Sequence, residues 1–370
     1  LIYLTNPKRF GYSSYKKSKR FGYCFFDVAT LKDIAEKSGF SITTVSRALA
    51  GYSDVNERTR QIIVEIALAE GYQPNMLARQ LRARRTDTIG LILPASSSRF
   101  TDDFFNALVM SIGHAATHHQ LDLLISAKPP DQELEAYRRM VGGNRVDGVI
   151  VARVRQPDPR IAYLKTTQHP FVVFGRAAPP EPSDFAYVDV DSRAGIAAVV
   201  QHLARLGHQN IALLLPPPTL SMTSERLAGF EAGLAEAGLR FNPQWVVYGD
   251  LTVESGEALT AALLAQHPTL GAVVASNDLM ALGAMRAAQA AGRQVGVDLA
   301  VTGYDNIAAA AYAHPALTTV APPMEEIGQR LMALLMSIMQ QETLAERQVL
   351  LAPTLIVRQS CGAGAVGKER

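Results

Sequence analysis

Cysteine is scarce. The two thiols, Cys24 and Cys361, stand near opposite ends of 370 residues, with no CxxC pair and no Cys/His spacing of the metal-ligand kind. A disulfide framework and a structural zinc site are therefore disfavoured, and a reducing cytoplasm is the default expectation. Long apolar runs are missing as well: none approaches the roughly 20 residues that a membrane-spanning helix needs. The signatures of catalysis are also lacking. No G-x-S-x-G, P-loop or G-x-G-x-x-G stands in a strand-to-helix context, so no enzyme is expected. The eight histidines are scattered. His118-His119 reads as a solvated helix end and His208, in LGHQN, as a turn residue, so neither a metal nor a cofactor is expected.

What is present is bulk and an uneven charge. A chain of this length accommodates two or three domains, and 48% hydrophobic residues at a mean hydropathy of +0.06 fit a water-soluble protein with a large core. Residues 1–85 hold 15 Lys+Arg against 7 Asp+Glu, whereas the remainder holds 21 against 27. A basic first segment on an acidic body suits a reader of a polyanion. Charge alone leaves RNA, DNA or a membrane surface open.

The stretch from Thr30 to Arg85 decides among them. Leu31, Ile34 and Ala35 have the spacing of one apolar helix face. Gly39 closes that helix and Ser41 caps the next. Val45 and Leu49 then point inward, with Thr43 and Arg47 on the opposite face beside Ile42 and Ser46. A third helix begins at Asn56 and buries Ile63, Ile66 and Ala67. Two short helices about a glycine turn, followed by a third, predict a helix-turn-helix whose second helix enters the major groove of DNA.

TLKDIAEKSG, TTVSRAL and GYQPNMLARQLR also resemble the DNA-binding headpiece of the lac repressor family. The resemblance implies that Ile42, Thr43 and Arg47 meet base edges. It puts Thr30, Ser41, Thr44, Ser46, Asn56, Thr59, Tyr72 and Asn75 near phosphates, with Lys32 in the same DNA-contacting set. Ala50 departs from the family, where many members carry Asn. After the Gly71–Pro74 break, Met76–Ala83 matches the family's hinge helix. Ala78 there is the small residue that lets two such helices approach, and Leu81 is the apolar wedge for a minor-groove step. A helix this short is marginal in water, so folding coupled to binding is expected. Arg79, Arg82, Arg84 and Arg85 are placed to meet phosphates. Residues 1–28, with two FGY copies among Lys and Arg, are expected to be a disordered basic tail or the product of a misplaced start codon; the alternative is an arm adding non-specific DNA affinity.

From Ile89 the pattern changes. IGLILPA, LDLLISA, DGVIVAR and FVVFG alternate with helical stretches, a Pro-rich break follows at Ala178–Pro182, and YVDVD leads into a second series, NIALLLP, WVVYGD, GAVVAS and LAVTGYD. Repeated βα units of this kind predict an α/β fold with two lobes of doubly wound parallel sheet and a ligand cleft at the strands' carboxyl ends. YVDVDSRAGIAAVVQHLARLGHQNIALL, SERLAGFEAGL, ASNDLMALGAMRAA and VTGYDN resemble the core of the same family, which shares the fold of sugar-binding periplasmic proteins. The resemblance runs from about Ala29 to Gln359. The expected division is a tail (1–28), the headpiece (29–74), a hinge and linker (75–86), the two-lobed effector-binding and dimerisation core (87–360) and a tail (361–370).

Arg226, Asn277 and Asp305 stand at or just after strand ends, and the resemblance makes them the effector contacts. Donors and acceptors of this kind can bracket vicinal hydroxyls. Asp278 is read instead as the cap of the helix after it. Met324 and Leu251 match positions where relatives often carry aromatics that stack on the ligand. From the first lobe, Ser97, Arg99, Asp102, Asp103, Phe104 and Arg153 are the expected wall, although Asp102 and Asp103 equally suit a helix cap. Asp189 and Asp191 could suggest a catalytic carboxylate pair, but they fall in a crossover segment and are read as structural. The expected protein is thus a cytoplasmic, nucleoid-associated homodimer without the family's tetramerising tail. It binds a pseudo-palindromic operator and represses carbohydrate-utilisation genes until a sugar releases it. The alternatives are a corepressor-dependent regulator and a solute-binding transport component with a fused N-terminus.

Overall fold

Thr30 starts the first helix, α1 (Leu31–Ser38), with a capping box: its Oγ1 accepts from Asp33 N at 3.4 Å, and its own N–H donates to the Asp33 carboxylate at 2.7 Å. Gly39, at φ 73, closes the helix in the left-handed region. Ser41 accepts from Thr44 N at 3.1 Å and begins α2 (Ile42–Leu49). Asn56 accepts from Arg58 N at 2.9 Å and begins α3 (Glu57–Ala69). None of these helices would persist alone. Together they bury Ile34, Val45, Ala48, Val55, Ile63 and Ala67, with Leu49 and Ile66 half-buried against that core.

This computed structural model describes residues 29–72, 85–94, 103–177 and 183–363. They belong to two units, divided at Ala83/Arg84. The tail 1–28, Asn75, Ala78, Leu81 and Arg79, Arg82 and Arg84 of the hinge, and Ser97, Arg99 and Asp102 lie outside the described residues.

The larger unit is two-lobed. The first lobe runs β1 (Thr88–Pro94), α4 (Asp103–Thr117), β2 (Asp122–Lys128), α5 (Glu133–Gly142), β3 (Gly148–Ala152), α6 (Pro159–Thr167), β4 (Phe171–Phe174) and β5 (Tyr187–Val190). The second runs α7 (Ser192–Arg205), β6 (Ile211–Leu215), α8 (Met222–Glu236), β7 (Val246–Tyr248), α9 (Val253–Gln266), β8 (Ala272–Ala275), α10 (Asp278–Ala290), β9 (Ala300–Tyr304), α11 (Ala308–Tyr312) and β10 (Thr318–Ala321). The chain then recrosses through α12 (Met324–Met339) to β11 (Gln348–Leu351) in the first sheet and returns to β12 (Thr354–Ile356) in the second.

The first sheet has the order β11-β5-β4-β3-β1-β2 and is parallel throughout. The second has the order β12-β10-β9-β8-β6-β7 and is parallel except for β12. Every residue of β3, β6, β8 and β9 is buried, as strands covered by helices on both faces require. Strand order reverses at β1/β3, where Leu91 faces Ile150, and at β6/β8, where Leu213 faces Val274. Ligands of such sheets bind beyond the carboxyl ends at these points. The β10, β11 and β12 strands were not anticipated from the sequence; they are short, and two of them lie at sheet edges.

Candidate functional site

The headpiece unit presents the outer face of α2. Ile42 is 50% exposed, Thr43 is exposed, and Arg47 keeps 43% of its side-chain surface. Val45 and Ala48 anchor the opposite face in the core, which fixes the direction in which Ile42, Thr43 and Arg47 project. Ser41 and Thr44 share a hydroxyl bond of 2.8 Å at the N-terminus of α2. Thr30, Lys32 and Asn56 are exposed at helix starts, whereas Ser46, Thr59 and Tyr72 are half-buried. Thr30 and Asn56 each have a capping role, so their hydroxyl and amide are already committed to the backbone.

In the core unit a cleft with about 860 Å³ of empty space, open mouth included, lies between the lobes. Of the residues singled out from the sequence, Phe104, Arg153, Arg226, Leu251, Asn277 and Asp305 line it together. Arg226 comes from the first turns of α8 and is only 7% exposed. Its Nη1 donates to Ser276 O, and its Cζ sits 4.3 Å from the centroid of the Tyr304 ring. Its Nε is buried with no hydrogen-bond partner among the described residues, and so is the Tyr304 hydroxyl. Buried donors are seldom left so unless something else accepts from them. Asn277 donates to Leu251 O at 3.0 Å and accepts from Met280 N at 3.0 Å, which locks its amide.

Backbone strain collects around the same space. Arg153 (φ 56), Leu251 (φ 70), Asp305 (φ 106) and Asn306 (φ 52) all occupy positive φ without being glycine. Arg153 lies over the Phe105 ring at 4.8 Å, and Phe104 stacks on Phe174 at 6.0 Å and 26°. The aromatic surface therefore comes from Phe104, Phe105, Phe174 and Tyr304, not from positions 324 and 251, which carry Met and Leu.

Three readings need correction. Met324 is the first residue of α12 and packs on the first-lobe core; it borders a shallower recess with Asp103 and Phe104 and is not in the cleft lining. Asp278 does not cap α10. Asn277 does, while the buried Asp278 carboxylate accepts from Ile307 N at 2.8 Å and from Thr319 Oγ1 at 2.5 Å. Burial pushes its pKa up to about 7 against those two donors. Asp191 caps α7, as a structural role requires, but Asp189 lines the cleft on β5. Arg176 Nε stands 3.2 Å from the Asp189 carboxylate, and Arg176 Nη2 stands 2.6 Å from Glu225. Arg176, Asp189 and Glu225 were missed as cleft residues. The rule of strand carboxyl ends, applied to FVVFGR and YVDVD, would have pointed to the first two.

Comparison with known proteins follows the same division. Residues 30–75 match the bacterial regulatory proteins of the lacI family, and residues 200–361 match the periplasmic binding protein-like domain. The HTH-type transcriptional regulator CelR of Thermobifida fusca is 33% identical over 332 residues, 90% of this chain and 98% of its own length. The chain belongs to the lacI family. It is a DNA-binding transcriptional regulator with a helix-turn-helix headpiece and a periplasmic-binding-protein-like core. Among solved structures, a CelR–cellobiose complex matches this lacI-family regulator at a TM-score of 0.71 and 32% identity, covering 90% of this chain and 99% of that one. The lac repressor dimer bound to operator and the anti-inducer ONPF matches at a TM-score of 0.80 and 28% identity, covering 91% and 100%. No helix among the described residues is long and apolar enough to cross a membrane.

Proposed function

We propose that this regulator is a cytoplasmic homodimeric repressor that releases a pseudo-palindromic operator when a sugar fills the cleft. The observation that carries the sugar reading is Arg226. Its buried Nε is a charged donor without an acceptor among the described residues, with the Asn277 amide, the Asp305 and Asp189 carboxylates and the rings of Phe104, Phe105, Phe174 and Tyr304 in the same lining. Alternating donors, acceptors and apolar faces are what a polyhydroxylated ring needs. Arg153, Phe104, Arg226, Asn277 and Asp305 are the proposed effector contacts, and Ser97 and Asp102 belong to the same proposal. The cellobiose complex of CelR makes a disaccharide the first probe.

In the headpiece, Ile42 and Thr43 offer methyl groups to thymine and Arg47 donates to guanine. Thr30, Lys32, Ser41, Thr44, Ser46, Asn56, Thr59, Tyr72 and Asn75 are the proposed backbone contacts, and Ala78 and Leu81 the minor-groove pair. Effector binding shifts the population of lobe arrangements and, through the hinge, of DNA-competent dimers. The test starts by selecting a preferred duplex from random DNA with the full chain. Its affinity is then measured with and without cellobiose and a panel of mono- and disaccharides. One sugar class should lower operator affinity. Selection without any preferred sequence, or no sugar that moves the affinity, would overturn the proposal.

A further inference from the structure

Arg47 does not hang free from its helix. Its Nε donates to Asp54 Oδ1 at 3.3 Å and its Nη2 to Asp54 Oδ2, so the carboxylate lies side-on against one edge of the guanidinium. Its Cζ is 4.7 Å from the centroid of the Tyr52 ring, which backs the guanidinium plane. The outer edge, Nη1 and the second hydrogen of Nη2, has no acceptor among the described residues. That edge carries the two parallel donors that guanine O6 and N7 accept.

The turn bearing both partners is itself pinned. Tyr52 N donates to Arg47 O at 3.1 Å. Arg60, from α3, donates to Tyr52 O at 2.6 Å and to Val55 O and Ala48 O at 3.4 Å each. Val55, 8% exposed, sinks the same turn into the headpiece core. Asp54 and Tyr52 therefore project from a fixed loop toward a fixed helix.

We propose that Asp54, with Tyr52 behind it, is a positioning residue that holds Arg47 as a guanine reader and so sets the sequence specificity of the headpiece. This rests on the reading that Arg47 meets a base edge. A loose arginine loses rotamer freedom on docking and can swing to a phosphate instead. One held by a carboxylate loses less, and it must break that pair to reach the backbone. The Asp54 charge also opposes phosphates, so it disfavours binding to DNA in general while favouring the one geometry in which Arg47 finds guanine. The pair is exposed, and pairs of this kind contribute little to folding, so variants should remain folded.

The experiment compares Asp54→Ala, Asp54→Asn, Asp54→Glu and Arg47→Ala in the full chain. Affinities are measured for the selected operator, for its single-base-pair variants and for an unrelated duplex, over a range of salt concentrations. Asp54→Ala should reduce the preference for guanine at one position per half-site by about threefold to thirtyfold, part of what a bidentate contact is worth. Affinity for the unrelated duplex should hold or rise, and the salt dependence should steepen by up to about one unit of log–log slope. Asp54→Glu should keep more of the preference than Asp54→Asn. An equal loss on operator and unrelated DNA would overturn the proposal, and so would an intact preference in Asp54→Ala beside a relaxed one in Arg47→Ala. An intact preference in Arg47→Ala would instead sink the reading of Arg47 itself.

Discussion

Arg176 and Glu225 are bonded across the cleft: Nη2 of Arg176, just beyond β4 in the first lobe, lies 2.6 Å from Oε2 of Glu225 on α8 in the second. The same guanidinium reaches Asp189, so one cation serves a carboxylate from each lobe. The lobes are also tied by backbone bonds, Gln156 N to Thr219 O and Ser221 N to Val154 O, each 3.0 Å. A change of lobe arrangement therefore acts on these polar ties. Of these, the Arg176–Glu225 pair is the one whose side chains line the cleft.

Glu225→Gln keeps the side chain's shape and removes its charge, while Arg176 keeps Asp189. Sugar binding should weaken by about 1.5–3 kcal/mol, the range for hydrogen bonds to charged groups. Calorimetric titration of wild type and variant reads this directly. A lowered unfolding temperature with unchanged sugar affinity would assign the pair to stability alone.

Asp189 should make effector binding pH-dependent. Burial raises its pKa to about 6, against the pull of Arg176 and the Val190 N–H. Below that pH the carboxyl takes up its proton and loses its charge on Arg176, so sugar affinity should fall between pH 7 and pH 5. Asp189→Asn should flatten the profile. The stability sign is separate: the native state binds this proton more tightly than the unfolded chain does. Stability from this group is therefore greatest below about pH 4 and declines as pH rises toward 6. A pH-independent sugar affinity in wild type would rule out an ionised Asp189 at the ligand.

The fold was legible because its strands are continuous apolar runs with helices between them, and the family because its headpiece strings are dense in matches. The cleft was legible only in part. Arg226, Asn277, Asp305, Phe104 and Arg153 could be named from the strand ends and the family pattern. Arg176 and Glu225 meet over 49 residues of sequence separation, and no local spacing records such a pairing. Nor does the sequence say where a side chain goes once its backbone is placed: Met324 starts a helix whose packing turns it to the first-lobe core. The near approach of α9 and α10 was equally invisible, because it depends on two glycines in separate helices.

Those glycines give a prediction about the second lobe. A Cβ on Gly283 would stand 2.0 Å from Val253 O, and one on Gly256 would stand 2.2 Å from Met280 O. Both obstacles are backbone, so the helices would have to separate. Gly283→Ala should destabilise the core by about 1–3 kcal/mol or more, as overpacking does. Urea unfolding followed by circular dichroism measures it. An unchanged midpoint would mean that the two helices are free to part.

Arg226 tests the coupling itself. It sits in the cleft, but it is buried, bonded to Ser276 O and stacked on Tyr304, so its removal affects the fold as well as the ligand. Arg226→Ala should lower stability by about 1–3 kcal/mol, because Ser276 O is left unpaired. Arg226→Lys keeps the charge and much of the packing but loses the planar fork and the Nε donor. The lysine variant should therefore separate the two roles. Its unliganded operator affinity should stay near wild type, while its sugar affinity should fall by about 1.5–3 kcal/mol, the range for charge-assisted bonds. Linkage then requires a matching loss of release: the sugar concentration that frees half the operator rises by the factor lost in binding. The measurement is operator affinity across a sugar titration for wild type, Arg226→Lys and Asp305→Ala. Release at the wild-type sugar concentration in both variants would remove Arg226 and Asp305 from the ligand site. Loss of operator binding before sugar is added would assign them to the DNA-competent state instead. If the sugar is a corepressor the sign inverts, and both variants bind operator weakly even at sugar concentrations that saturate the wild type.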